Sequence, residues 1–301
     1  MIERGLWMQA AVGRAGRRAG PRAGPRAGRL VAALALAVAL SACGGRGAPG
    51  DGQALDALAP EQIFARGESQ LDGGREDDAA FTFSEIERLY PYSAWAERGL
   101  IMSAFAYHRG RAYEDSRGAA QRYLDFYPTG EDAAYAQYLL ALSYYDQIDD
   151  VGRDQGLTFQ ALQALRGVIE VYPDSEYVPD AVAKFDLAFD HLAAKEMEVG
   201  RYYLGRGNYT AAINRFRAVV EDFQTTTQTP EALYRLVEAY LALGLTEKAQ
   251  TAGAILGTNY ASTTWYRDAY NLLTGRGLSP EARGENWLSA IFSKLQRGEA
   301  I

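Results

Sequence analysis

The stretch Val199–Phe223, VGRYYLGRGNYTAAINRFRAVVEDF, decides how the rest of the chain is read. Gly200, Tyr203, Ala212 and Phe216 follow one another at spacings of 3, 9 and 4 residues. Small residues on two successive helices let their axes approach closely, and the aromatic rings fill the groove beside the crossing. Arg206-Gly207-Asn208, between them, is turn chemistry for an antiparallel helix pair. One such hairpin cannot bury its apolar face alone, so it requires stacked neighbours.

Those neighbours are marked by punctuation. Tyr90-Pro91, Tyr127-Pro128 and Tyr172-Pro173, with Phe223 and Tyr260 at the equivalent points, fall at intervals of 37, 45, 51 and 37 residues. A proline after the aromatic ends one helix and aims the chain into the next. From Glu61 onward apolar residues follow a helical period, and no alternating run is long enough to make a sheet. With Ala193 as position 1 of a repeat of about 34 residues, Gly200, Tyr203, Ala212 and Phe216 take positions 8, 11, 20 and 24. A tetratricopeptide repeat places its small and aromatic residues there. The expected fold is therefore all-α: a right-handed α-solenoid of about five tetratricopeptide-like hairpins with C-terminal capping helices.

The first hairpin runs over Glu61–Tyr90, turns at Gly73-Gly74 and places Ala79 and Phe83 at positions 20 and 24. The second, Ser93–Tyr127, turns at Arg109-Gly110-Arg111 and carries Ala119 and Tyr123 four apart on one face. The third begins at Asp132 and inserts IDDVGRDQGL before Ala161, Leu165 and Val168. Pro179 opens a long helix that runs into the fourth, and the fifth spans Pro230–Tyr260. STTWYRDAYNLL and an amphipathic helix over Pro280–Gln296, with Trp287, Leu288, Ile291, Phe292 and Leu295 on one face, cap the last groove.

The N-terminus is not part of that fold. Residues 1–29 carry seven arginines against one acid, Glu3, and precede the apolar run LVAALALAVAL at 30–40. That is an export signal, too short to span a membrane. Arg17-Arg18 lacks the flanking residues of a twin-arginine signal. Leu40-Ser41-Ala42-Cys43 resembles the lipobox of bacterial lipoproteins, and Cys43 is the only cysteine. Residues 1–42 are thus expected to be removed, Cys43 to be lipidated and residues 43–60 to form a flexible Gly/Pro/Ala-rich tether. Gly44, where an aspartate would favour inner-membrane retention, points to the outer membrane. The body is expected to divide into an N-terminal half, 61–175, and a C-terminal half, 176–297.

Removing residues 1–42 takes seven of 31 basic and one of 38 acidic residues, leaving 24 against 37 and a formal charge near −13. So acidic a body argues against nucleic acid as partner and against adhesion to anionic lipid by charge. Membrane attachment then rests on acyl chains, of which two or more are needed for stable binding. Enzyme motifs are missing. His108 and His191 stand 83 residues apart without cysteine or acidic residues at metal-ligand spacing. Gly205-Arg206-Gly207 and Gly275-Arg276-Gly277 are turns between helices rather than phosphate-binding loops. Asp149, Asp150 and Asp154 read as a solvated loop. No catalytic residue, metal or cofactor is expected.

The lipobox, the tether, five hairpins with Tyr-Pro punctuation, Arg153-Asp154-Gln155 in the third, and Tyr202-Tyr203-x-x-Arg206-Gly207-x-x-x-Ala211-Ala212-x-Asn214-Arg215 in the fourth together resemble the BamD family. These are lipoproteins of the outer-membrane β-barrel assembly machinery, and the resemblance covers about Leu40 to Leu273. It implies binding rather than chemistry. The N-terminal hairpins would offer a concave groove to the C-terminal β-signal of unfolded outer-membrane proteins. The C-terminal hairpins would dock the last periplasmic POTRA domain of the barrel subunit BamA, alongside other accessory lipoproteins. Arg215, with Asn214, matches the docking position, and Tyr90 matches a residue of the substrate-binding half. Arg122 and Arg111 carry guanidinium forks able to read a peptide carboxylate. The proline missing after Phe223 and the helix at 280–296 depart from the family pattern. Two other classes compete: a solenoid lytic transglycosylase, which needs a catalytic glutamate in a compact α/β domain for which no room is expected after Leu273, and a generic periplasmic repeat adaptor for cell-wall or division proteins, which stays the alternative.

Overall fold

The computed structural model describes residues 54–282 and 287–296. Cys43 and the export signal lie outside the described residues. A short 3-10 turn, Leu55–Ala57, leads into α1 (Pro60–Asp72) and α2 (Glu76–Leu89). There follow α3 (Ala94–Arg109), α4 (Tyr113–Phe126), α5 (Ala133–Tyr145), α6 (Gly156–Val171), α7 (Val178–Gly205), α8 (Tyr209–Asp222), α9 (Thr229–Ala242), α10 (Thr246–Asn259), α11 (Thr264–Thr274) and α12 (Trp287–Gln296). No strand occurs among the described residues. Each helix from α1 to α10 packs on the next and α12 packs on α10, while α1 touches α3, α3 touches α5 and α5 touches α7, so the first helices of successive hairpins (A) share one face of an all-α stack.

The crossings explain the pairing. A Cβ added to Gly200 would lie 2.4 Å from Phe216 Cε1, and one added to Gly67 would lie 2.6 Å from Phe83 Cε1. Phe83, Phe216, Ala79 and Ala212 are all fully buried. The ring of the second helix (B) thus lies against the bare backbone of the first, in the first and fourth hairpins alike. The second hairpin differs from the expected pattern. Ala119 and Tyr123 are buried, but the residues at the crossing are Ser116 and Ala120, three residues earlier. Ser116 Oγ donates to the Ala104 carbonyl at 2.9 Å and accepts from Ser143 Oγ at 3.0 Å, a buried hydroxyl chain that links three helices. Tyr123 sits one turn on and donates to Glu97 Oε1 at 2.7 Å. Register here is set by Arg111, whose φ of 63° fills the left-handed turn position that Gly74, Gly207 and Gly244 occupy in other hairpins.

The aromatic punctuation is also a tie between repeats. Tyr172 donates its hydroxyl to the Pro128 carbonyl at 3.3 Å, and Tyr260 to the Gln224 carbonyl at 3.4 Å, in each case one residue past the previous punctuation. Tyr90 makes the same reach to the Leu58 carbonyl at 2.6 Å. The segment before α1 therefore stands in for the end of a preceding repeat. Where the proline is missing after Phe223, Asp190 of α7 takes over: its carboxylate accepts from Thr227 N at 2.7 Å, Thr227 Oγ1 at 2.6 Å and Gln228 Nε2 at 3.1 Å. These bonds hold the turn that starts α9.

The inserted residues between α5 and α6 fold back on the long helix. Lys195 Nζ donates to the Gly152 carbonyl at 2.8 Å, and Ile148 packs beside Leu162, Ala188 and Leu192. At the other end, Gln250 Nε2 donates to the Ser279 carbonyl at 2.9 Å, and Pro280 lies against Gly253. That contact holds 278–282 non-helical, so the capping helix does not begin at Pro280. Leu288 and Ile291 are buried in the C-terminal core, and Trp287 packs against it.

Two glycine substitutions test the crossing. Gly118, in α4, has no atom within 4 Å of an added Cβ. Gly118→Ala is expected to stabilise the fold by about 0.5–1 kcal/mol, whereas Gly200→Ala, driven into Phe216, is expected to cost about 1–3 kcal/mol. Urea denaturation of the two variants should show midpoints moving in opposite directions; shifts of the same sign would mean that Gly200 is not at a close crossing.

Candidate functional site

Two surfaces carry candidate chemistry, one on the A helices and one on the B helices. An aromatic row runs along the A helices of the N-terminal half. Phe64 of α1 lies 5.0 Å from Trp95 of α3, Phe105 of α3 lies 6.5 Å from Tyr135 of α5, and Tyr177, at the start of α7, lies 5.2 Å from Tyr135 and 5.1 Å from Tyr138. Trp95, Phe105, Tyr135, Tyr138 and Tyr177 are only partly buried, so their rings pack against the core and contribute to the surface at once. Burial pushes the Tyr135 hydroxyl well above the ordinary phenol range. Tyr138 is raised by burial and by donating to Asp180, whose carboxyl is in turn held low by Lys184 at 2.7 Å and by Tyr138. This row can offer stacking and apolar contact with a few fixed polar tips, the composition of a polypeptide-binding face.

The residues singled out from sequence lie elsewhere. Tyr90 caps α2, with its ring packed against the first core cluster and its hydroxyl spent on Leu58. Arg122, on α4, pairs with Glu87 of α2 at 3.3 Å. Arg111 sits in the turn before α4, whose first residue, Tyr113, is about 14 Å along the helix from Arg122 at 1.5 Å per residue. The structure therefore brings Arg122 near the Tyr90 end of α2, through Glu87, and leaves Arg111 apart. All three belong to B helices or a turn, not to the A-helix row.

Asn214 and Arg215 are exposed neighbours on α8. Phe216 points inward, as expected. Arg215 is not free, however. Its Nη1 donates to Glu196 of α7, at 3.1 Å to Oε2 and 3.4 Å to Oε1. Only one nitrogen of the fork is used, and nearly half of the side chain remains exposed. Glu196 stands 19 residues upstream, on the other helix of the hairpin, and no local pattern announces it. Two residues on, Arg217 lies over the Trp287 ring at 4.9 Å, and Trp287 Nε1 donates to the Tyr240 hydroxyl at 3.2 Å. The capping helix thus borders the Asn214–Arg215 patch.

The remaining polar groups are structural in their contacts. Asp149 pairs with Arg153 at 3.1 Å and Asp154 accepts from Gly156 N at 3.0 Å, so these two carboxylates are engaged within the inserted loop. His108 faces Asp146 at 3.1 Å, joining the ends of α3 and α5. Among the described residues no group of three or more His, Cys, Asp or Glu could hold a metal ion, and no helix is long and apolar enough to cross a membrane.

Comparison with known proteins places this geometry. The profile of the YfiO family, described as outer membrane lipoprotein, matches residues 56–255. The outer membrane protein assembly factor BamD of Caulobacter vibrioides is 47% identical over 240 residues, which cover 78% of this chain and 79% of that one. The BamD of Rickettsia prowazekii is 39% identical over 219 residues, covering 72% and 87%. A solved thermophilic TPR protein of Thermus thermophilus aligns with 69% of this chain and 95% of its own at 20% identity, with a TM-score of 0.32. Since the profile runs from the turn ahead of α1 into α10, through all five hairpins, the chain belongs to the YfiO/BamD family of outer membrane lipoproteins.

Proposed function

We propose that this chain is an assembly factor for outer membrane proteins, acting as a non-enzymatic scaffold and receptor. Cys43 carries the lipid that holds it on the periplasmic face of the outer membrane. Residues 61–175 receive unfolded outer-membrane proteins, with the aromatic A-helix row as the contact floor and Tyr90, Arg122 and Arg111 stiffening or rimming it. Residues 176–297 dock the last POTRA domain of a BamA-like barrel subunit, through Asn214 and Arg215, next to other accessory lipoproteins. The observation that carries this reading is the coincidence of family likeness and architecture: the matched residues are the stacked hairpins themselves. The strongly acidic body supports a lipid, rather than a charge, as the anchor.

The anchor is tested by Cys43→Ala. The variant is expected to accumulate as unlipidated precursor and to lose palmitate labelling and outer-membrane fractionation. Retention of both would refute the lipobox. From detergent-solubilised membranes the wild-type protein is expected to bring down a barrel-forming subunit in stoichiometric amount.

Arg215→Ala tests the docking patch. Because the pair with Glu196 is surface-exposed, its loss should change folding stability by no more than about 1 kcal/mol. Affinity for the barrel subunit's periplasmic domains should fall by about tenfold or more, since an interfacial carboxylate left without its guanidinium costs about 2–5 kcal/mol. Calorimetric titration of the folded variant decides the point, and unchanged affinity would move the docking surface elsewhere.

A further inference from the structure

The A-helix face contains one arginine whose setting differs from that of its neighbours. Arg98, on the second turn of α3, places its Cζ 4.7 Å from the centre of the Phe64 ring and 4.6 Å from that of Trp95. The two rings are 5.0 Å apart and tilted by 49°. The three groups form a near-equilateral triangle, with the guanidinium seated over both rings. Phe64 is buried and Trp95 half-buried, so the platform is fixed, while Arg98 itself is exposed.

Most arginines around it are spent on carboxylates. Arg109 holds Glu76, Arg122 holds Glu87, and Arg88 holds Glu85. Among the described residues Arg98 has no acid within ion-pair distance, and the adjacent Glu97 already accepts from the Tyr123 hydroxyl. In a body with a large excess of acids, an unneutralised guanidinium is the group most receptive to an incoming anion. The rings set its plane and restrict its rotamers, leaving the N–H donors along its edges, the geometry that a carboxylate meets with two parallel hydrogen bonds.

We propose that Arg98, on its Phe64–Trp95 platform, is a carboxylate receptor for an extended polypeptide lying on the A-helix face. The proposal rests on the reading of that face as the polypeptide-binding surface, and it names the charged group recognised there. Trp95 supplies an apolar contact directly beside the charge, and Tyr92, three residues earlier, exposes its whole ring. The bound carboxylate is the end of the polypeptide, and an acidic side chain within it is the other source that the test separates.

Three dye-labelled octapeptides of alternating valine and threonine separate the possibilities: one ending in a free carboxylate, its C-terminal amide, and an amide with one internal glutamate. Fluorescence anisotropy with the full-length protein at low salt is expected to show the free acid binding about tenfold tighter than the plain amide. Tight binding of the glutamate peptide as well would assign the site to carboxylates generally; its absence would restrict it to chain ends. In Arg98→Gln the preference should vanish with the plain amide unchanged, and Arg98→Lys, which keeps the charge but not the fork, should retain only part of it. Both variants alter an exposed side chain, and a melting curve confirms that each is folded. Equal binding of acid and amide to the wild type, or a preference that survives Arg98→Gln, overturns the receptor while leaving the face a peptide surface. Failure of all three peptides to bind the wild type overturns the receptor and the reading of the face together.

Discussion

Everything in this fold depends on how closely two helices of a hairpin can approach. At Gly67 and Gly200 the absent Cβ leaves room for an aromatic ring from the partner helix, and a ring at van der Waals distance from backbone excludes water from the whole crossing. The hairpin that results is rigid but incomplete, because its outer apolar residues face nothing until another hairpin stacks on them. The fifth hairpin inverts the arrangement. Its glycine, Gly253, lies on the B helix, where an added Cβ would meet Leu273 of α11 at 2.6 Å. The close approach has moved from within the hairpin to its junction with the cap, which is how the end of the stack is sealed.

The same reasoning shows what could be read from sequence. The first and fourth hairpins followed from small and aromatic residues at fixed positions, because those positions answer to a local steric constraint. The second was harder. Ala119 and Tyr123 have the right sizes and the right spacing, yet the crossing falls at Ser116 and Ala120. What fixes the register is a left-handed turn residue, and here that residue is Arg111 rather than glycine. An arginine at that position carries no signal in a sequence, although the backbone requires the same conformation.

Contacts between distant residues were illegible for a different reason. Arg215–Glu196, Lys195–Gly152 and Asp190–Thr227 join residues 19, 43 and 37 apart, and each partner is an ordinary surface residue until the helices are placed. The departures from the repeat are explained by such pairs. Asp190 substitutes for the missing proline by tying down free amides instead of restricting φ, and Lys195 turns the inserted loop into a brace on α7. The Arg98 platform also needed the stack, since Phe64 and Trp95 are brought together only when α1 and α3 pack side by side.

The element that relates the two proposed surfaces is α7. It runs unbroken for 28 residues, about 42 Å at 1.5 Å per residue, and contains no proline beyond its first turn. Its first half packs on α6, its second half pairs with α8, and Lys195 and Asp190 fasten its middle to the flanking loops. A helix braced in this way resists bending, so the A-helix row before it and the Asn214–Arg215 patch after it keep a fixed relation. For a protein proposed to receive one polypeptide and dock another, such rigidity has a functional consequence. A chain bound on the first surface is presented to the docked subunit at a distance and angle set by the scaffold, and the entropy of orienting the two partners has already been met in folding the scaffold.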